Sequence, residues 1–101
     1  METSSFDFGM IGLGVMGRNL LLNMADHGFS VIGFDKDLSK ATSLESFASP
    51  GTTVKGVSTL SEMVKQLKRP RKIMMLVPAG PIVDYVINDL LPLVEENDII
   101  I

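Results

Sequence analysis

The chain has 101 residues, 46% of them hydrophobic and 21% charged, and a formal net charge of −3, which suits one globular domain and gives no global attraction to nucleic acid or an anionic membrane. It has no cysteine and a single histidine, His27, so disulfides, thiolate catalysis, cysteine-based metal sites and histidine clusters for metals are excluded, as befits a reducing cytosol. The start, Met1 to Asp7, lacks the basic residues of a secretory leader, and the longest uncharged apolar stretch, Ile73 to Val83, is broken by Pro78, Gly80 and Pro81 well short of the ~20 residues that span a bilayer; a cytoplasmic protein is expected.

Phe8 to Ile11 is a short apolar run without polar alternation, the pattern of a strand buried on both faces of a parallel sheet. Gly17, Leu20, Leu21 and Met24 then share one helical face, and Gly28 stands where a left-handed C-terminal cap belongs. Ser30 to Phe34 predicts a second strand closed by Asp35, and Leu38 to Phe47 a second helix. After a turn at Ser49, Pro50 and Gly51, Thr52 to Val57 reads as a third strand. Thr59 with Glu62 is a capping-box signature opening a helix through Leu67, which Pro70 stops. Lys72 to Val77 predicts a central strand. Pro81 suits the first turn of a helix whose apolar face is Val83, Val86, Ile87, Leu90 and Leu91, and Asp98 to Ile101 begins a fifth strand. Alternation of this kind predicts an α/β fold: a Rossmann-type doubly wound parallel sheet over residues 1–101, truncated after the start of the fifth strand, as expected for a piece of a longer protein.

Gly12, Leu13, Gly14, Val15, Met16 and Gly17 spell G-x-G-x-x-G at the first strand-to-helix junction. Gly12 permits a tight turn, Gly14 lets the backbone approach a pyrophosphate, and Gly17 lets the helix pack close; the helix N-terminus beyond them offers N–H groups to an anion. An acid ending the second strand completes the dinucleotide fingerprint, while the lack of Gly-Lys-Ser/Thr excludes a Walker P-loop.

Asp35, Lys36 and Asp37 bear on which dinucleotide is bound. Asp35 is placed to accept hydrogen bonds from the ribose hydroxyls of NAD, and a 2′-phosphate about 4 Å from it costs about 4 kcal/mol per unit charge at an effective dielectric near 20 unless compensated. Lys36 and Lys40 are near enough in sequence to compensate, or are solvated surface charges like Asp37. The residues leave both coenzymes open.

The segment "IGLGVMGRNLLLNMADHGFSV" resembles the opening of the 6-phosphogluconate dehydrogenase family, and "LSKATSL", "LSEMVKQLKRPRKIMMLVPAG" and "NDIII" extend the resemblance across essentially the whole chain, matching the front of a much longer family sequence. The resemblance implies NADP as coenzyme, with NAD kept open by Asp35. Contacts would fall on Gly12 to Gly17, on Asp35, Lys36 and Asp37, and on Val77, Pro78 and Ala79, with Met16 toward the nicotinamide. Where NADP-dependent members usually read Asn-Arg-Thr, this chain has Asp-Lys-Asp, and where many have lysine it has Pro78. For the intact parent, a homodimer in that family, it implies oxidative decarboxylation of 6-phosphogluconate to ribulose 5-phosphate. The family's catalytic residues and all-helical domain lie beyond residue 101, so this chain alone is expected to catalyse nothing. A related β-hydroxyacid dehydrogenase and a non-catalytic nucleotide-binding module are the alternatives.

Other chemistry-bearing residues read as structural. His27 suits a helix C-terminal cap. Lys65, Lys68, Arg69, Arg71 and Lys72 form a basic run without interleaved aromatics, read as a solvated face away from the ligand edge and not as a nucleic-acid patch. Glu95, Glu96 and Asp98 read as solubilising loop acids, and Met10, Met24, Met63, Met74 and Met75 as core filling.

Overall fold

The opening apolar run forms β1 (Phe8–Ile11), all four residues buried, as the lack of polar alternation requires of a central parallel strand. The computed structural model describes residues 6–68, 71–76, 81–95 and 98–101. After β1 come α1 (Val15–Asp26), β2 (Val31–Phe34), α2 (Leu38–Ser46), β3 (Val54–Val57), α3 (Leu60–Gln66), β4 (Lys72–Met75), α4 (Pro81–Leu90), a short 3-10 turn over Leu91–Leu93, and β5 (Ile99–Ile100). The five strands form one sheet in the order β3-β2-β1-β4-β5, every pair parallel. Chain order reverses direction across the sheet at β1 and β4, which is the doubly wound arrangement expected.

Because successive strand residues face opposite sides, strands β1 to β4 feed two cores, while Ile99 and Ile100 of β5 are exposed. Ile11, Ile32, Val57 and Ile73 pack with Leu60, Met63 and Val64 of α3 and Leu90 of α4. Met10, Phe8 and Val31 pack on the other face with Leu21 and Ala25 of α1 and Ala41 and Leu44 of α2. Complete burial of each such side chain is worth about 1.5–3 kcal/mol, so the two layers supply the main driving force. Met10 and Met63 are fully buried, as gap filling requires.

The helix ends follow local chemistry. Thr59 caps α3 by accepting the Glu62 N–H at 3.2 Å, and its hydroxyl meets Glu62 Oε1 at 2.9 Å. Gly28, at φ +97°, closes α1: its N–H donates to the Ala25 carbonyl at 3.0 Å and the Phe29 N–H to the Met24 carbonyl at 3.3 Å, a Schellman pair. The His27 ring Nδ1 lies 2.8 Å from the Asn23 carbonyl, the capping role expected of it.

Several expectations need correction. The buried face of α1 is Gly17, Leu21 and Ala25, whereas Leu20, on the flank of that stripe, is 36% exposed. Leu91 leaves the apolar face of α4 for the 3-10 turn and is exposed. β1 has the expected bounds, but the other strands are shorter than predicted, Ser30, Thr52, Asp98 and Ile101 among others falling outside them. Phe6, ahead of β1, makes a parallel bridge with Leu67 and is buried.

Arg71 and Asp98 are not solvated loop charges. The Arg71 side chain is buried, its Nε donating to the Val64 carbonyl at 3.0 Å and its Nη1 to Asp98 Oδ2 at 2.9 Å. Asp98 also accepts the Arg71 N–H at 2.7 Å and the Glu95 N–H at 2.7 Å. Burial alone would raise the Asp98 pKa and is the largest single influence. The two backbone N–H groups and the guanidinium together outweigh it, holding the carboxyl below its ordinary value. The pair ties the starts of β4 and β5 to the end of α3.

Candidate functional site

The glycine turn sits at the C-terminal edge of β1, where Gly12 takes φ +100° and its N–H donates to the Phe34 carbonyl at 2.9 Å. This left-handed geometry turns the chain out of the sheet and is costly for any residue with a Cβ. Leu13 plugs the turn into the core beside α1 and α2. Gly17 packs against the turn itself: a Cβ there would collide with the Gly12 carbonyl oxygen and lie 3.3 Å from the Gly12 carbonyl carbon. Gly14 differs, since a Cβ on it would meet nothing within 4 Å.

Gly14 is the N-cap of α1, in extended geometry at φ −65° and ψ 179°, without a side-chain cap and with no acid in the first turn. The first intrahelical bond runs from the Arg18 N–H to the Gly14 carbonyl at 2.9 Å, so the N–H groups of Val15, Met16 and Gly17 precede it. Val15 and Met16 are exposed. An open helix start of this kind holds partial positive charge and, among the described residues, a set of donors without an acceptor, which suits a phosphate.

Asp35 follows β2 and reaches back over the glycine turn. Its Oδ2 accepts the Leu13 N–H at 2.9 Å, and its Oδ1 accepts the Asp37 N–H at 2.8 Å. Asp37 is the N-cap of α2, its Oδ1 accepting from the Ser39 N–H at 3.0 Å and the Ser39 hydroxyl at 2.6 Å. Those bonds, the hydroxyl's first, hold the Asp37 pKa below its ordinary value. Asp37 is therefore a cap and not a bare surface charge, which an aspartate one residue ahead of a helix could have signalled.

A cleft of about 370 Å³ opens at this edge, lined by Ile11, Gly12, Phe34 and Leu60 below, by Asp35, Lys36 and Lys40 on one side, and by Tyr85, Val86 and Asp89 of α4 on the other. Its apolar floor and polar rim are of the size that takes part of a nucleotide. Lys36 and Lys40 thus share a wall with Asp35. Tyr85 and Asp89 were not anticipated, although their four-residue spacing puts them on one side of a helix. β4 runs beside β1 toward the same edge, the Leu76 N–H donating to the Ile11 carbonyl at 2.8 Å, but Val77, Pro78 and Ala79 lie outside the described residues. Among the described residues, no group of three or more acids and histidines is arranged to hold a metal, and no helix is long and apolar enough to cross a membrane.

The sheet order and the glycine turn define a Rossmann-type doubly wound domain. The profile of the family described as the NAD binding domain of 6-phosphogluconate dehydrogenase matches residues 7–101, and the chain belongs to that family. It is 50% identical over 95 residues to the decarboxylating 6-phosphogluconate dehydrogenase of Candida albicans, covering 94% of this chain and 18% of that protein. Its identity to the Homo sapiens enzyme of the same name is also 50% over 95 residues, covering 94% and 20%. Among solved structures it resembles the Plasmodium falciparum 6-phosphogluconate dehydrogenase, described in apo form, with its cofactor NADP+ and with its substrate 6-phosphogluconate (TM-score 0.85, 38% identity, 93% of this chain and 20% of that one). A diketoreductase shares the fold at TM-score 0.70 and 18% identity, over 98% of this chain and 41% of that one. The chain spans about a fifth of the length of the dehydrogenases it matches.

Proposed function

We propose that this chain is the coenzyme-binding domain of a decarboxylating 6-phosphogluconate dehydrogenase and that it binds NADP. The observation that carries this reading is the α1 N-terminus: donors at Val15, Met16 and Gly17 that are unpaired among the described residues, no acid in the first turn, and open space over Gly14. Gly12, Leu13, Gly14, Val15, Met16 and Gly17 would hold the pyrophosphate; Asp35, Lys36 and Asp37 would border the ribose end, and Val77, Pro78 and Ala79 would meet the coenzyme at the β4 edge. NADP is the cofactor of the Plasmodium relative, and Lys36 and Lys40 in the cleft wall offer positive charge to a 2′-phosphate. NAD is the competing coenzyme, because Asp35 stands in the same wall.

When bound, the coenzyme's nicotinamide supplies the oxidant for 6-phosphogluconate. This chain's part is to bind and orient it: the turn and the helix N-terminus fix the pyrophosphate, and the apolar floor of Ile11, Phe34 and Leu60 excludes water beneath it. The groups that act on 6-phosphogluconate belong to the remaining four-fifths of such a protein, so the chain alone binds coenzyme and catalyses nothing. The whole protein works as a cytoplasmic homodimer under this reading.

Calorimetric titration with NADP and then NAD, at low and moderate salt, tests it. The expected result is tighter NADP binding that weakens with salt. Preference for NAD would reverse the coenzyme assignment, and binding of neither would refute the site.

A further inference from the structure

Asp35 occupies the position at which a Rossmann domain selects its coenzyme by letting a carboxylate meet the ribose hydroxyls. Here each carboxylate oxygen already accepts a backbone N–H, one from each side of the site. The Leu13 N–H belongs to the glycine turn and the Asp37 N–H to the turn that starts α2, at 2.9 and 2.8 Å. The two donors are 24 residues apart in sequence, and the carboxylate is the short link between their loops.

We infer that Asp35 is a positioning residue: a carboxylate strut that sets the glycine turn and the β2–α2 turn in one geometry, so that its effect on coenzyme binding is shared by NADP and NAD. This inference rests on the proposed coenzyme site and names how that site is held. The physical ground is that charge-assisted bonds from backbone N–H groups to a carboxylate are strong and directional, and breaking either frees a loop that carries binding groups. The β2–α2 strut end lies next to Lys36, and the glycine-turn end lies next to Gly14. A shift in either therefore moves the phosphate-facing wall and the ribose-facing wall relative to each other. Each oxygen thus commits one of its lone pairs to a backbone N–H, which fixes the carboxylate between the two turns, with Lys36 and Lys40 lining the same cleft.

Two substitutions separate a strut from a selector. In Asp35→Asn the side-chain oxygen can accept one N–H, but the amide nitrogen cannot accept the other. In Asp35→Glu the charge remains while an extra methylene spoils the paired geometry. The experiment is calorimetric titration of the chain and both variants with NADP and with NAD, well below their melting temperatures, alongside amide hydrogen exchange at Leu13 and Asp37 in the free proteins.

A strut predicts that both variants lose affinity for NAD by about ten-fold, that Asp35→Glu, which keeps the charge, loses NADP affinity equally so that the NADP-to-NAD ratio moves by less than about three-fold, and that exchange at Leu13 or Asp37 quickens. A ribose selector predicts the opposite pattern: Asn gains NADP and loses NAD, while Glu behaves as the original, and that result overturns the strut. Unchanged affinities in both variants, with only a lowered melting temperature, reduce Asp35 to a structural residue and also overturn it. If the unsubstituted chain binds neither coenzyme, the proposed site itself fails, which the first titration shows before any variant is made.

Discussion

Gly14, the N-cap of α1, and Gly17, in its first turn, are three residues apart, and the structure gives their substitution by alanine opposite consequences. At Gly17 the new methyl collides with the Gly12 carbonyl oxygen, a backbone atom that a side-chain rotation cannot move. The helix must back away from the turn, and overpacking of this kind costs about 1–3 kcal/mol, against which the better helix propensity of alanine returns about 0.5–1 kcal/mol. Because a backbone atom cannot give way, the cost falls at the upper end of that range, and a net loss of about 2–2.5 kcal/mol lowers the melting temperature of a domain this size by about 8–20 °C. At Gly14 the methyl meets nothing within 4 Å and the backbone, at φ −65°, is ordinary for alanine, so the fold loses only about 0.5–1 kcal/mol, the difference between glycine and alanine at an N-cap. The same methyl stands in the space before the N–H groups of α1, and coenzyme affinity should fall about 10- to 100-fold, or about 1.4–2.8 kcal/mol. Urea unfolding and coenzyme titration on both variants read the two effects separately. The reasoning is refuted if Gly14→Ala destabilises as much as Gly17→Ala, or if it binds coenzyme as the unsubstituted chain does.

Asp98→Ala leaves the Arg71 guanidinium buried without its partner and should cost about 3–5 kcal/mol in urea unfolding, whereas replacing both, as Arg71→Met with Asp98→Leu, should recover most of that loss. Asp98 and Asp7, the latter held down first by the Ser30 N–H and then by Lys68, have folded pKa values below the ordinary 3.8. Their contribution is thus complete above the unfolded value and drains away as pH falls below about 4, so acid titration monitored by circular dichroism should show a loss there that Asp98→Asn diminishes. Thr59→Ala removes the acceptor for the Glu62 N–H and should cost about 1 kcal/mol by thermal unfolding. Replacing Lys36 and Lys40 together by alanine should weaken NADP binding about five- to ten-fold and flatten its salt dependence, with NAD binding unchanged by calorimetry.

The parts of this molecule that were legible in the sequence are those set by neighbours along the chain. The glycine spacing, the Thr59 capping pair, the Gly28 cap and the alternation of strand and helix each rest on local geometry, and each lies where expected. What could not be read arises from contacts between distant segments. Arg71 and Asp98 look like loop charges until β4 and β5 pair and bring them together across 27 residues. Which flank of α1 meets the sheet, leaving Leu20 exposed while Leu21 is buried, is set by tertiary packing that periodicity does not contain. The site divides in the same way. Its glycine turn was readable from the G-x-G-x-x-G pattern, while the direction of the Asp35 carboxylate, which links that turn to the start of α2, appears only once Leu13 and Asp37 are placed around it.

The measurement that bears most directly on the central claim is a nitrogen-15 amide spectrum of the chain titrated with NADP. The account predicts that the largest shifts fall on Leu13, Gly14, Val15, Met16 and Gly17, with a second group at Lys36 and Lys40. Shifts gathered instead at the opposite edge of the sheet, around Asp7, Phe29 and Lys68, or no shifts at all, would contradict it.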